Sequence, residues 1–194
     1  DLLHEALQLA EETRSRREIV FCLSDLAGVS VLVGQHQLAK AQLEHVLAMT
    51  LPLGWWGIVG TYRYLTQANI GLDDLEAAYE SAQSTYKWAT KRQLVTDIGI
   101  AWRVLGMTAA AKNGTISLEA QTYTPAECFA KSCANLEKHD MGELAESYRE
   151  WATYEFAQGN EFKGDELWQM AGQCFAEIGA THILAEMNAR RNFT

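Results

Sequence analysis

The sequence has few helix-breaking residues and little basic charge. Only 2 of its 194 residues are proline, and no low-complexity tract is present. Lysine and arginine number 16 against 25 aspartates and glutamates, so the formal net charge is −9. Because nucleic-acid binding depends on clustered basic residues that contact phosphates, we expect no direct nucleic-acid partner. No apolar run reaches the roughly 18 residues needed to cross a bilayer, so we expect no membrane span.

Catalytic and metal-binding motifs are also missing from the sequence. It contains no phosphate-binding loop, dinucleotide fingerprint, nucleophile elbow or kinase signature. The four cysteines, Cys22, Cys128, Cys133 and Cys174, show no C-x-x-C spacing. We interpret them as small core residues in a reducing, cytoplasmic compartment, with a disulfide or a metal site as the alternative. We therefore expect no enzymatic activity, no metal and no cofactor.

What the chain does contain is an internal repeat. Four segments share a bulky residue, a large apolar residue three positions later, and then a small residue. The small residues lie 39, 40 and 46 positions apart, a period that indicates stacked helical hairpins. The four segments are Leu23-x-x-Leu26-Ala27, Tyr62-x-x-Leu65-Thr66, Trp102-x-x-Leu105-Gly106 and Tyr148-x-x-Trp151-Ala152.

The apolar spacing predicts helices nearly throughout, and no sustained alternation predicts a strand. Residues 1–13 form a partial helix in this outline and residues 180–191 a last capping helix. Four hairpins are predicted between them, at 16–50, 55–91, 95–139 and 141–178. A long loop at 113–124 extends the third hairpin, either as a flexible excursion or as a contact loop. With no linker in the chain, we expect one domain, 1–194, whose core is continuous.

The predicted helix ends carry start and stop residues. Ser15, Asp73, Thr124 and Asp140 each precede a glutamate by three positions, which predicts capping boxes. Glycine follows the predicted helix ends and is typical of a left-handed C-cap. The chain opens on Asp1 inside a helical pattern, which we interpret as a fragment of a larger protein. The predicted glycine stops are Gly34, Gly54, Gly71, Gly114, Gly159 and Gly179.

The repeat resembles the tetratricopeptide repeat, which places Trp, Leu-Gly and Tyr on a first helix and Ala, Phe and Ala on a second. Trp102, Leu105 and Gly106 match the first helix best. The period of about 40 is longer than the family's 34, and Thr66 and Ala152 replace its glycine. This long form is similar to the helical-repeat regions of bacterial STAND-type regulators and nucleotide cyclases. The resemblance implies an all-α, right-handed superhelix of about four hairpins.

The resemblance also implies which residues line a concave groove. The family's fifth groove position falls on Ser24 and on three arginines, and further side chains follow one turn later. A row of arginines would suit an acidic peptide, a terminal carboxylate or a phosphorylated segment. The alternative is that the arginines pair internally, with Glu146, Glu150, Glu155 or acids of adjacent helices. The candidate partner-binding residues are Arg63, Gln67, Arg103, Met107, Arg149 and Thr153.

Together these patterns predict a non-catalytic protein-interaction or sensor module of a bacterial signalling protein. Its groove would hold a partner segment or a neighbouring domain. A small-molecule sensor is one alternative. Self-association is another, because an exposed end hairpin could pair with a second copy as a homodimer. The adjacent indoles of Trp55 and Trp56 would either anchor a partner or fill the gap between hairpins.

Overall fold

The computed structural model describes residues 2–53 and 57–191, which are helical over most of their length. The chain divides into two compact units, Asp1–Arg92 and Gln93–Thr194. In each unit, helices that follow one another in sequence pack against one another. The all-α class and the hairpin pattern are confirmed, whereas a single continuous domain and a right-handed superhelix stay predictions.

Unit 1 consists of an end helix and two helical hairpins. A short 3-10 turn at Leu51–Leu53 follows the first hairpin. Gly54, Trp55 and Trp56 lie outside the described residues, so the predictions made for them are not addressed. The helices are α1 (Leu2–Glu12), α2 (Arg16–Leu32), α3 (His36–Thr50), α4 (Ile58–Gly71) and α5 (Leu75–Arg92).

Unit 2 holds the third and fourth hairpins and the last helix. A two-stranded antiparallel sheet interrupts the third hairpin. The elements are α6 (Val95–Ala111), β1 (Ile116–Leu118), β2 (Gln121–Tyr123), α7 (Pro125–Leu136), α8 (Met141–Ala157), α9 (Glu161–Glu177) and α10 (Thr181–Arg191).

The small residue of each repeat lies where helices approach closely. Ala27, Thr66 and Ala152 have no exposed surface, and Gly106 is also buried. A Cβ added to Gly106 would lie 3.0 Å from the Phe129 ring, so a larger residue would need the ring to move by a few tenths of an ångström. The repeat seen in the sequence is therefore a packing requirement, because interiors are close-packed and a small residue admits the neighbouring helix.

The sheet contradicts the expectation that no strands form. Ile116 and Leu118 are buried while Ser117 points outward, so alternation does occur, but over three residues only. Strand pairing joins Leu118 to Gln121 across two residues, Glu119 and Ala120, whose φ angles are +51° and +64°. Two positive φ angles define the tight hairpin turn that usually carries Asn-Gly. Glu-Ala lacks that signal, which explains why sequence patterning missed the hairpin.

The predicted helix starts are confirmed in part. Thr124 and Glu127 form a complete capping box, and Asp140 accepts from the Glu143 N–H at 3.0 Å. Ser15 makes no side-chain capping bond, so its predicted box is wrong. The predicted box at residue 73 is displaced by one position, because Asp74 is the residue that accepts from a backbone N–H, that of Ala77.

Left-handed residues end most of the hairpin helices. Gly34, Gly159 and Gly179 have φ angles of +77°, +77° and +73°, as the stop signals predicted. Near Gly71 and Gly114 the left-handed residue is instead a polar neighbour, Asp73 at +59° and Asn113 at +50°. Asp and Asn tolerate this region better than other non-glycine residues. The two helices therefore end near the predicted glycines, but Asp73 and Asn113 adopt the left-handed conformation.

Candidate functional site

The six predicted groove residues are divided between the two units. Arg63 and Gln67 lie on α4 in unit 1, whereas Arg103 and Met107 on α6 and Arg149 and Thr153 on α8 belong to unit 2. We therefore describe the two sets separately.

Arg103 is a buried residue that links α6 to α8. Its side chain is 3% exposed and forms an ion pair with the Glu143 carboxylate. Its guanidinium also donates to the Glu143 backbone carbonyl at 2.8 Å and to Ser147 Oγ at 3.4 Å. Ser147 and Ser132 Oγ lie 2.8 Å apart, and Ser132 donates to the Gly99 carbonyl at 2.7 Å, so the network continues to α7 and α6. The planar guanidinium thus serves to connect three helices.

Arg149 is also engaged by acidic side chains of its own helix. It pairs with Glu146 at 2.5 Å and with Glu150 at 3.7 Å, and it lies 6.0 Å from the centre of the Phe175 ring. Burial raises the pKa of Glu146, while the positive charges of Arg149 and Arg103 oppose that rise. The internal-pairing alternative is therefore confirmed for Arg103 and Arg149.

The remaining predicted residues differ in exposure. The Arg63 guanidinium lies 4.4 Å from the centre of the Tyr64 ring, in range of a cation–π contact. Gln67 and Met107 are half-buried. Thr153 is exposed, and its Oγ1 donates to the Arg149 carbonyl at 2.9 Å. These four residues stay candidates for contact with a partner.

Sequence reasoning missed a polar cleft in unit 1. It has a volume of about 290 Å³ and opens between α3, α4 and α5. Three helices thus border the cleft, and spaces between facing helices are where helical proteins usually place their binding sites. Its lining consists of Lys40, Glu44, Tyr62, Leu65, Asn69, Ala77, Glu80, Ser81 and Ser84.

Asn69 is the buried polar residue of this cleft. Its side chain is 2% exposed, and its Nδ2 donates to Ser81 Oγ at 3.2 Å. Ser81 Oγ in turn donates its single proton to the Ala77 carbonyl at 2.7 Å, so it can only accept from Asn69. With this order of donors, the amide nitrogen of Asn69 faces Ser81. Asn69 Oδ1 is left as a buried acceptor without a hydrogen-bond partner among the described residues.

The charges that line the cleft are mainly negative. Glu44 and Glu80 are exposed, one on α3 and one on α5. Lys40 carries the only positive charge of the lining, and its Nζ lies 3.0 Å from Asp74 Oδ2, outside the lining. Because that carboxylate already neutralises Lys40, the cleft presents a net negative potential.

A signal for this cleft did exist in the sequence. Asn69 lies four residues after the repeat's Leu65, on the helix face that the apolar residues occupy. Asparagine is a poor helix former, and a buried asparagine needs partners for its amide. An asparagine within an apolar stripe was therefore a detectable anomaly. Its partner, Ser81, comes from the next helix, and no sequence pattern identifies it.

A second, smaller cleft lies in unit 2 beside the β-hairpin. Its volume is about 220 Å³, and its lining includes Asn113, Thr124, Tyr154 and Gln158. The N-terminus of α7 reaches this region, but Glu127 already accepts from the Thr124 N–H at 2.8 Å. The local carboxylate thus occupies the position that an anionic ligand would take.

The chain has no match among the known proteins with which it was compared, and its described residues form neither a metal site nor a membrane-spanning helix. No protein-family model matches the chain, and no curated protein matches it. Over residues 2–53 and 57–191, no three His, Cys, Asp or Glu side chains lie together as a metal site would need. Within the same ranges, no helix combines the length and apolar character of a membrane span. The four cysteines are free thiols, with Cys128 and Cys133 buried.

Proposed function

We propose that this chain is a non-catalytic binding module of a cytoplasmic signalling protein of bacterial type and that it holds a segment of a partner protein. The observation that carries the proposal is the cleft between α3, α4 and α5, with the buried, unsatisfied acceptor of Asn69. A buried acceptor without a partner costs about 1–3 kcal/mol, and a bound donor would recover this cost.

Rigid helices favour this role. The repeat cores pack small residues such as Ala39 and Ala68 against Leu43, Leu47 and Leu65, and all five are buried. Because the helices around the cleft are already ordered by this packing, binding a segment orders few additional groups of the module. The arginines of α6 and α8 support the proposal less, since their guanidiniums already have carboxylate partners.

Selection of peptides from a random library tests the proposal. Purified chain is immobilised and used to enrich peptides by display, in parallel with Ser84→Trp, whose indole would fill the cleft. Gln83→Trp on the same helix is the matched control, because Gln83 does not line the cleft. We expect peptides that bind the wild type and Gln83→Trp with micromolar affinity and lose most of it with Ser84→Trp.

Two other results would contradict the proposal. Peptides that bind all three proteins equally would place the binding surface elsewhere. Failure to enrich any peptide, combined with a small-molecule library that stabilises the wild type but not Ser84→Trp, would favour a small-molecule sensor. The cleft volume of about 290 Å³ lies near the lower end of small-ligand pockets, which start at roughly 300 Å³.

Self-association is a second candidate, and the end helix α1 supports it. Leu2 is 84% exposed and Leu9 is 61% exposed, which leaves apolar surface uncovered on unit 1. Sedimentation velocity over a hundredfold concentration range tests it, with Leu2→Lys/Leu9→Lys as the variant. A dimer that dissociates in this variant would support self-association, and a monomer at all concentrations would eliminate it.

A further inference from the structure

The unit 1 cleft selects for the chemistry of what enters it. Asn69 Oδ1 is an amide oxygen and can only accept a hydrogen bond, and it is the polar atom of this side chain that has no partner among the described residues. A complementary group must therefore carry an N–H or O–H donor. A carboxylate or a dianionic phosphate has none to offer.

The charged residues around the cleft favour a cationic ligand. Glu44 and Glu80 flank the cleft from α3 and α5, and within residues 2–53 and 57–191 neither forms an ion pair. The one lysine of the lining is already paired with Asp74 at 3.0 Å. An anion would be repelled here, whereas an ammonium or a guanidinium would be attracted by both carboxylates.

The dimensions and the apolar part of the lining suit one extended side chain. A volume of about 290 Å³ is too small for a folded element. Tyr62 and Leu65 contribute apolar surface beside the polar groups, and basic side chains bury their methylene stems along such surface while the charged end reaches polar groups.

We infer that this cleft binds a basic side chain, a lysine or an arginine, presented by a partner segment. Glu44 and Glu80 surround the cation, and Asn69 Oδ1 accepts one of its N–H groups. This inference rests on the proposed function and names the chemistry of the segment. The acidic partner that the row of arginines predicted concerns other residues and stays a prediction.

Titration with side-chain probes followed by NMR tests the inference. The uniformly ¹⁵N-labelled chain is titrated with N-acetyl-lysine methylamide, with the neutral N-acetyl-norleucine methylamide of similar length, and with the acidic N-acetyl-glutamate methylamide. With the lysine probe, we expect the chemical shifts of amides in α3, α4 and α5 to change until they saturate, with a dissociation constant in the millimolar range. The norleucine probe should bind at least tenfold more weakly, and the glutamate probe should leave these amides unchanged.

Charge-neutral variants separate the cleft from general electrostatics. Glu80→Gln and Glu44→Gln should each weaken the lysine probe about threefold to tenfold, as expected when one charge-assisted hydrogen bond becomes neutral. Glu76→Gln, one turn away on α5 and outside the lining, is the matched control and should leave the affinity within twofold.

The possible failures of the inference and of the proposed function are distinguishable. Equal binding of the lysine and norleucine probes, or equal losses in Glu80→Gln and Glu76→Gln, overturns the inference. Selected peptides that need the open cleft but carry no basic residue also overturn it, while the proposed function survives. A lysine probe that shifts no cleft amide overturns the inference, and the peptide selection then decides the function independently.

Discussion

Arg103 provides a test of whether the predicted groove arginines serve the fold or a partner. We consider Arg103→Met, which keeps an unbranched apolar stem, is shorter than arginine and removes the guanidinium. The substitution deletes the hydrogen bonds to the Glu143 carbonyl and to Ser147, together with the ion pair to the Glu143 carboxylate. Arg149→Met is the matched control on α8, since Arg149 pairs with Glu146 and Glu150 while its side chain is 23% exposed.

The expected magnitude follows from burial. Removing one partner of a fully buried ion pair costs about 3–5 kcal/mol, because the other charge is left uncompensated. Glu143 is 22% exposed, so water can solvate its carboxylate after the substitution and the upper part of that range does not apply. We therefore expect Arg103→Met to lower the unfolding free energy of unit 2 by about 2–3 kcal/mol, and Arg149→Met to lower it by about 0–1 kcal/mol.

Hydrogen exchange is the suitable assay because the chain has two units, for which a single unfolding free energy is poorly defined. Peptides from α6 and α8 should exchange about 30- to 150-fold faster in Arg103→Met than in the wild type, provided exchange follows opening of unit 2. Arg149→Met should change their exchange about fivefold or less. Equal protection in the two variants would refute the structural role of Arg103 and return it to the set of partner-binding candidates.

Three further predictions concern the core and its titrating groups. A Cβ at Gly99 would lie 2.5 Å from a buried leucine side chain, so Gly99→Ala should lower the urea midpoint of unit 2. Gly172→Ala, whose Cβ meets nothing closer than 3.8 Å, should leave the midpoint equal or higher, and equal losses in the two variants would contradict this packing. Burial raises the pKa of Cys128 to about 12, so at pH 8 only about one thiol in ten thousand is ionised. Native-state labelling at pH 8 should therefore be at least about a hundredfold slower there than at half-buried Cys22, and similar rates would show that Cys128 is accessible. Burial raises the folded-state pKa of Glu146 above its ordinary value of 4.5. The protonated carboxyl group therefore stabilises the fold fully below pH 4.5, and this stabilisation is lost as the pH rises through the folded-state pKa. Glu146→Gln should accordingly reduce the fall in the unfolding free energy of unit 2 between pH 4 and pH 7, followed by hydrogen exchange of α8 peptides, and an unchanged fall would refute the assignment.

The local elements were predictable because their signals lie within single helices. Apolar residues at helical spacing, the small residue of each repeat and the glycine stops define hairpins such as α2–α3 and α8–α9, whose observed bounds differ from the prediction by about one residue. The β-hairpin escaped prediction because buried and exposed residues alternate only over the three residues of β1, and because its turn lacks glycine.

The sequence by itself determined the all-α class, the hairpin order and the small residues at helix crossings, because each leaves a pattern of residue types along a single helix or its ends. Only the tertiary structure decided the roles of the polar side chains. Arg103 meets Glu143 and Asn69 meets Ser81 across different helices, and separations of 40 and 12 residues leave no periodic trace in the sequence. The physical reason is that a charge or an amide is satisfied by whichever group the fold brings within about 3 Å.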